Sequence, residues 1–387
     1  MPHAAALGAT SMNVARAVGP AIGGVVVAAV GAEAVFALNA VTFLGVLGVL
    51  WRWRRPVHDK VLGAEHLRSA IRAGVRYLSA APRLRAILVR TLGFVVFASA
   101  LWALLPIVAR SQLGLGSGGY GLLLGAVGIG AIAGAGLLPS LRARFSGDGI
   151  LGGAALLYAA ACIVTGFVHV APLVGVALVG AGVAWISAVG TLNGSTQRAL
   201  PGWVRSRGMA LYLLVFQGGQ ALGAFLWGLV IQHADVRIAF GAVAAGLTAS
   251  LVLALRWPLR RARSFDTSPA PYPEPELRLD PPREAGPVLV TVRYRVPDSA
   301  QEDFRATMRV VGRARRRSGA ERWGLFRDGD DPDVFLETFI VPTWEEHLRQ
   351  HLERPTATDR EFMAAARALQ DRDGEVEVHH LFSAYGR

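Results

Sequence analysis

The sequence predicts an all-α polytopic membrane protein of eight transmembrane helices, followed by a smaller cytoplasmic α+β domain. Three observations predict it. Of 387 residues, 52% are drawn from AVILMFWYC and only 18% are charged, against about 25% charged in ordinary soluble domains. Up to Trp257 the apolar residues gather into runs of roughly the 20 residues that an α-helix needs to cross a bilayer. Beyond Pro258 the composition changes to that of a soluble domain.

The eight runs are 10 to 30, 33 to 51, 86 to 109, 120 to 140, 149 to 168, 171 to 196, 207 to 231 and 236 to 256. Buried helices of a large soluble core would need charged faces, and stretches such as Ile150 to Val168 have none. Orientation follows from the excess of Lys and Arg in cytoplasmic loops. With the N-terminus inside, the inner segments hold 19 basic residues and the outer loops two, Arg110 and Arg237. That ratio places both chain ends on the cytoplasmic side.

The same count disposes of a nucleic-acid reading of the net charge of +12: residues 1 to 258 carry a net +14 and the remainder −2. All basic residues but Lys60 are Arg, a bias that fits a GC-rich genome better than phosphate recognition. Within 52 to 85, Leu67, Ile71, Val75 and Leu78 share one helical face and Arg68, Arg72 and Arg76 another, the pattern of an amphipathic helix lying on anionic lipid headgroups. Membrane lipids and a small-molecule substrate are therefore the expected partners, without nucleic acid. The lone Cys162 excludes an intramolecular disulfide framework and a Cys-cluster zinc site.

In the first run, Gly19, Pro20, Gly23 and Gly24 would kink a helix and let a neighbour approach closely. A sparse internal repeat at an offset of 204 residues aligns Gly19 with Gly223, Gly24 with Gly228, Phe36 with Phe240 and Ala37 with Gly241. Parallel repeats relate the two halves of a large transporter class. Arg16 has two readings, a charge facing a cavity and an arginine snorkelling to the headgroups. Asn39, Asn193, Gln217 and Gln220 are candidates for a polar transport path or for interhelical hydrogen bonds.

These residues resemble the major facilitator superfamily. Gly-Pro-x-x-Gly-Gly is similar to the core of its antiporter motif in helix five, with Ala15 where a glycine is expected. The stretch from Pro201 through Arg205 and Arg207 to Tyr212, continuing from Phe216 to Gly228, resembles the enterobactin-exporter-like branch, the transmembrane secretion effectors. Gly136 to Arg144, with Pro139, Arg142 and Arg144, is similar to the second-half copy of a cytoplasmic loop motif. The resemblance covers about 1 to 258 and implies export of small amphipathic metabolites, of the siderophore or drug class, from the bacterial plasma (inner) membrane by alternating access. It also implies a partial fold: if Gly19-Pro20 marks helix five, the eight runs are helices five to twelve. Two explanations compete for the missing four, a truncated reading frame and a real eight-span protein, and truncation is the expectation. Coupling through an embedded carboxylate would then fall to the missing helices or to Glu33, Asp148 or Asp235 at helix ends.

Residues 259 to 286 are rich in Arg and Pro and predict an extended linker. From 287 to 387 the pattern is β-α-β-β-α-β: Val288, Val290, Val292, Tyr294 and Val296 alternate, Phe304, Met308 and Val311 have helical spacing, and Asp328 to Asp333 punctuates a hairpin. Thr343 with Glu346, and Thr358 with Glu361, have capping-box spacing. This order predicts a ferredoxin-like sandwich. Trp323 to Asp328, Phe335 to Phe339 and Trp344 to His351 resemble the antibiotic-biosynthesis-monooxygenase type of that sandwich, which implies a homodimer through the sheets. Trp323, Glu337, Trp344, His347 and His351 are expected in a groove between helix and sheet. His347 and His351 at i and i+4 lack the remaining ligands of a zinc site, Glu337 and His380 being the conceivable ones. The expectation is no metal, no cofactor and no catalytic residue, with binding or dimerisation as the domain's role and a cofactor-independent oxygenase as the alternative.

Overall fold

The computed structural model describes residues 32–53, Gly74, Tyr77, 80–259, 266–371 and 377–384. Its helices are α1 (Ala32–Arg52), α2 (Pro82–Ile107), α3 (Ser117–Arg144), α4 (Gly147–Phe167), α5 (Ala171–Ala199), α6 (Gly202–His233), α7 (Val236–Ala249) and the short α8 (Leu253–Arg256) that continues α7 through a 3-10 turn. Six stretches are long and apolar enough to cross a membrane: α2 with its extension to Gln112, α3, α4, α5, α6, and Val236–Arg256. The run expected at 33 to 51 forms the 21-residue α1, whose side chains are exposed from Phe36 to Trp53. The run at 10 to 30, with Arg16 and the Gly19-Pro20 motif, and the amphipathic pattern at 67 to 78, save Gly74 and Tyr77, lie outside the described residues.

Two compact units emerge. The first holds α1, most of α2, α3, α4, nearly all of α5, the greater part of α6, α7 and α8. Its packing follows from residue size. In α2 the buried residues Ile87, Thr91, Phe94, Ala98, Leu101 and Leu105 recur at alternating steps of four and three, which places them on one stripe of the helix. α3 and α5 cross where Gly130 faces Val179 and Gly182 faces Val127, so closely that a Cβ on either glycine would collide with the opposing carbonyl. α4 presents Ala154, Ala155, Ala159 and Gly166 among its buried residues, and Phe240 of α7 packs over Gly166. Phe240 is fully buried whereas Phe36, its partner in the sequence repeat, is 75% exposed, so the two repeat copies differ in packing at this pair.

Backbone groups freed within these helices find partners, as a hydrocarbon surrounding requires. Pro106 supplies no N–H, and α2 then widens into a π turn, Val108–Gln112, closed by Leu113 N donating to Val108 O. Gln112 Nε2 donates to the carbonyls of Gly166 and Val168 at the end of α4. Thr91 and Thr165 return their hydroxyls to carbonyls four residues back.

The second unit comprises the C-terminal residues with Thr196–Ala210 and the described residues Gly74, Tyr77 and 80 to 85. It contains β1 (Val288–Arg295), α9 (Gln301–Ser318), β2 (Arg322–Arg327), β3 (Val334–Val341), α10 (Trp344–Leu352), α11 (Ala357–Ala368) and β4 (Glu377–Phe382). The sheet order is β2-β3-β1-β4, every neighbouring pair antiparallel. Val288, Val290, Val292 and Tyr294 turn one face of β1 inward against Phe304, Met308 and Val311 of α9, as their spacing predicts. Two expectations change. The second cap is Thr356 with Asp359, reciprocally hydrogen-bonded, instead of Thr358 with Glu361, and α11 starts correspondingly earlier. The described part of the linker, 266 to 286, is extended but bound to the domain: Tyr272 N donates to His351 O, Ala270 N to Pro355 O, and Ala285 O accepts from Trp344 N.

The α3–α5 crossing gives a direct test. Gly182→Val should cost about 1–3 kcal/mol by overpacking, lowering the melting temperature of the detergent-purified chain, whereas Gly136→Ala, which meets nothing within 4 Å, should leave it unchanged.

Candidate functional site

Path candidates in the first unit fall on different helices. Asn39 is exposed on α1, its carbonyl accepting from Thr42. Asn193 on α5 and Gln220 on α6 are half-buried, and Gln217 on α6 is exposed. Pro139, Arg142 and Arg144 lie in α3 rather than in a loop, the helix running on to Arg144. Arg142 Nη2 donates to Gly190 O of α5 at 2.8 Å, a use for an arginine at a helix end that its loop reading did not anticipate. Arg205 and Arg207 likewise belong to the first turns of α6, and Arg205 caps the carbonyl of Leu200.

Two features of this unit went unread in the sequence. A chain of rings runs through it: Trp185 of α5 lies 6.2 Å from Phe94, 5.7 Å from Trp102, 6.3 Å from Tyr158 and 6.0 Å from Phe216. Phe216 in turn stacks on Tyr212 at 6.0 Å. Tyr158 donates its hydroxyl to Ala98 O and Trp227 its indole N–H to Val96 O, so these polar tips are anchored within the apolar interior. The second feature is Arg90, which is 3% exposed, with Nη2 3.6 Å from Asp148 Oδ1 and Nη1 donating to Ser250 O. Arg90 sits two turns into α2 and Asp148 in the first turn of α4, so this pair joins helices far apart in sequence, and only the fold brings them together.

In the second unit, the expected groove residues divide into two neighbouring sets. Glu337 of β3 is fully buried and accepts from Tyr294 Oη, Trp323 Nε1 and Arg315 Nε at 3.0, 3.0 and 3.1 Å. Three donors, one cationic, hold a carboxylate away from water, the condition for burying a charge at tolerable cost. Burial and Glu337's charge push the Tyr294 hydroxyl far above its usual range. The Arg315 guanidinium lies 4.5 Å from the Phe339 ring centroid.

Trp344, His347 and His351 share one face of α10, with ring centroids 5.3 and 4.7 Å apart in succession. His380 of β4 joins them, its Nε2 3.1 Å from His347 Nε2. Burial, and then the neighbouring His351, hold His347 well below the usual imidazole range. Burial followed by Arg315 brings His351 down to about 4. Burial and His379 lower His380. The three rings are therefore neutral at pH 7 and function as hydrogen-bonding and packing groups. Among the described residues no group of three or more His, Cys, Asp or Glu is placed to hold a metal ion; Glu337 is committed to its own donors. Between the sheet and helices lies a small cleft lined by Tyr272, Val290, Phe339, His351 and Met363 among others.

These geometries meet a clear assignment by sequence. The transmembrane secretion effector model of the major facilitator superfamily matches residues 1–387, so the chain belongs to that family of membrane transporters. No curated protein matches it.

Glu337→Gln should destabilise the C-terminal domain by about 3–5 kcal/mol, because Arg315 would be left buried and uncompensated; hydrogen exchange of β1 and β3 in the full chain measures it. The histidines set a pH dependence of known sign. For a group whose folded value is depressed, stability is complete above the unfolded value near 6.5 and is lost as pH falls towards 4, the His351 value. Domain protection should therefore fall between pH 6.5 and 4, by an amount on the order of 3 kcal/mol, and His351→Gln should flatten the profile.

Proposed function

We propose that this member of the transmembrane secretion effector family is a secondary-active exporter of small amphipathic metabolites, of the siderophore or drug class, that works by alternating access in the bacterial inner membrane. The observation carrying the proposal is the set of six membrane-length apolar stretches in a chain matched by that family from end to end. The inside-positive bias supports a cytoplasmic C-terminal domain. Asn193 and Gln220, half-buried on the same two helices as Trp185 and Phe216, would supply hydrogen bonds, and the two rings aromatic surface, to an amphipathic substrate. Asp148 is the carboxylate proposed for coupling, since Arg90 faces it at 3.6 Å.

For the C-terminal domain the strand order β2-β3-β1-β4 supports a ferredoxin-like sandwich of the antibiotic-biosynthesis-monooxygenase type. Its outer face carries Leu289, Phe326, Leu336, Ile340 and Leu381, of which Phe326 and Leu381 are 58% and 50% exposed. An apolar stripe of this kind supports homodimerisation through the sheet. The mostly apolar lining of the cleft beside His351, with Val290, Val292, Phe339 and Met363, supports a binding role.

Everted membrane vesicles containing the chain should accumulate ethidium or a labelled catecholate siderophore several-fold above control vesicles, and an uncoupler should abolish the difference. Asp148→Asn should lower uptake tenfold or more with the chain still inserted. Accumulation that survives the uncoupler would count against proton coupling, and no accumulation of either probe against export of this class.

A further inference from the structure

The first turn of α6 places Trp203 against residues from the other end of the chain. Within the second unit the Arg354 guanidinium carbon lies 4.9 Å from the Trp203 ring centroid. On another side Tyr77 meets the same indole edge-on at 5.7 Å, with an interplanar angle of 89°, and donates its hydroxyl to Ala199 O. Leu200 and Val204, flanking the indole, are 0% and 1% exposed. The half-buried tryptophan at this helix start thus meets two side chains, Tyr77 and Arg354, each separated from it by more than a hundred residues.

Arg354 is held flat for this contact. Both its Nη atoms donate to Glu346, at 2.7 and 3.0 Å, and Nη1 also donates to the carbonyl of Ser318. Its side chain is 2% exposed and that of Glu346 7%. The carboxylate neutralises the guanidinium and fixes its plane while its π-face lies over the indole, an arrangement a lysine ammonium cannot reproduce. Beside it, Arg317 pairs with Asp359 of α11 at 2.9 Å. A desolvated guanidinium over tryptophan is the strong form of this attraction.

We propose that the C-terminal domain is latched to the start of α6 through the Arg354–Trp203 contact, and that the latch restrains α6 during the transport cycle. α6 is a single helix from Gly202 to His233 and carries Tyr212, Phe216, Gln217 and Gln220, so a hold on its first turn acts on the helix that presents the proposed path residues. A transporter moves such helices as rigid elements, and the domain would set the cost of moving this one. This role in transport rests on the exporter reading; the latch itself does not.

Hydrogen exchange and transport measured on the same reconstituted full chain separate the two. Arg354→Lys keeps a cation for Glu346 and removes the planar face. Exchange across 200 to 212 should then accelerate roughly tenfold while β1 and β3 stay as protected as in the wild type, and ethidium export should change several-fold. Unchanged exchange at 200 to 212 would overturn the latch; faster exchange with an unchanged export rate would overturn its restraint of α6. Should Arg354→Lys strip protection from the sheet, Trp203→Leu, which keeps bulk and removes the indole, replaces it, with the expected acceleration read at 349 to 356 and its absence overturning the latch. A wild-type chain that exports no ethidium sinks the exporter reading for that probe and leaves exchange to decide the latch.

Discussion

Hydrocarbon cannot hydrogen-bond the backbone, and most of the first unit is a response to that constraint. Six long helices satisfy their amides internally, and the exceptions are repaired on the spot: the π turn after Pro106 closes through Leu113 N, and Gln112 caps the end of α4. With the backbone accounted for, apolar burial contributes little between helices in lipid, so association falls to close packing. This explains the positions of the small residues. Gly130 and Gly182 let α3 and α5 approach until their backbones touch, and Gly166 admits Phe240. The same constraint makes Arg90 conspicuous, because a guanidinium 3% exposed in such surroundings needs the carboxylate of Asp148 and the carbonyl of Ser250.

In the C-terminal domain the governing term is the opposite one, a buried charge kept by its donors. Glu337 lies on the inward face of the central strand β3 and ties β1, β2 and α9 together through Tyr294, Trp323 and Arg315. Arg315 then carries its charge across Phe339 and, with burial, keeps the adjoining His351 from protonating. Neutral rings can pack with centroids 4.7 and 4.9 Å apart, as His347 does in a tilted contact with His351 and edge-on with His380; three cations there would repel one another. Burial first, and the Arg315 charge second, thus keep His351 neutral at the cleft wall.

How much of this was legible depended on the range of the interaction. Runs of apolar residues and strict alternation are local, and they located the helices and the strands of the sheet to within a few residues, including the inward set from Val288 to Tyr294. Helix ends were less legible: Arg144 and Arg205 read as loop residues because charge interrupts the apolar run before the hydrogen-bonded helix stops. Thr358 with Glu361 has the commoner box spacing, but Asp359 is the side chain that reaches back, and Thr356 is the cap it reaches. His380 was paired with His347 and His351 as a conceivable ligand, and the sheet does bring it to them. The Arg90–Asp148 pair, the ring chain around Trp185 and the Arg354–Trp203 contact left no local signal, since each joins residues whose proximity only the tertiary fold creates.

The docked segment from 266 to 286 bears on how the latch could work. An unattached linker of that composition would let a domain swing freely, and a restraint on α6 would then be weak. Here Ser268, Ala270 and Tyr272 run along the start of α11 and the end of α10, hydrogen-bonded to Ala357, Pro355 and His351, and Ala285 receives the N–H of Trp344. The segment's packing also ties the cleft to the latch, because Tyr272 lines the cleft and pairs with the backbone of His351, three residues before Arg354. Tyr272 thus links the lining of the cleft to the backbone of α10 that leads into Arg354.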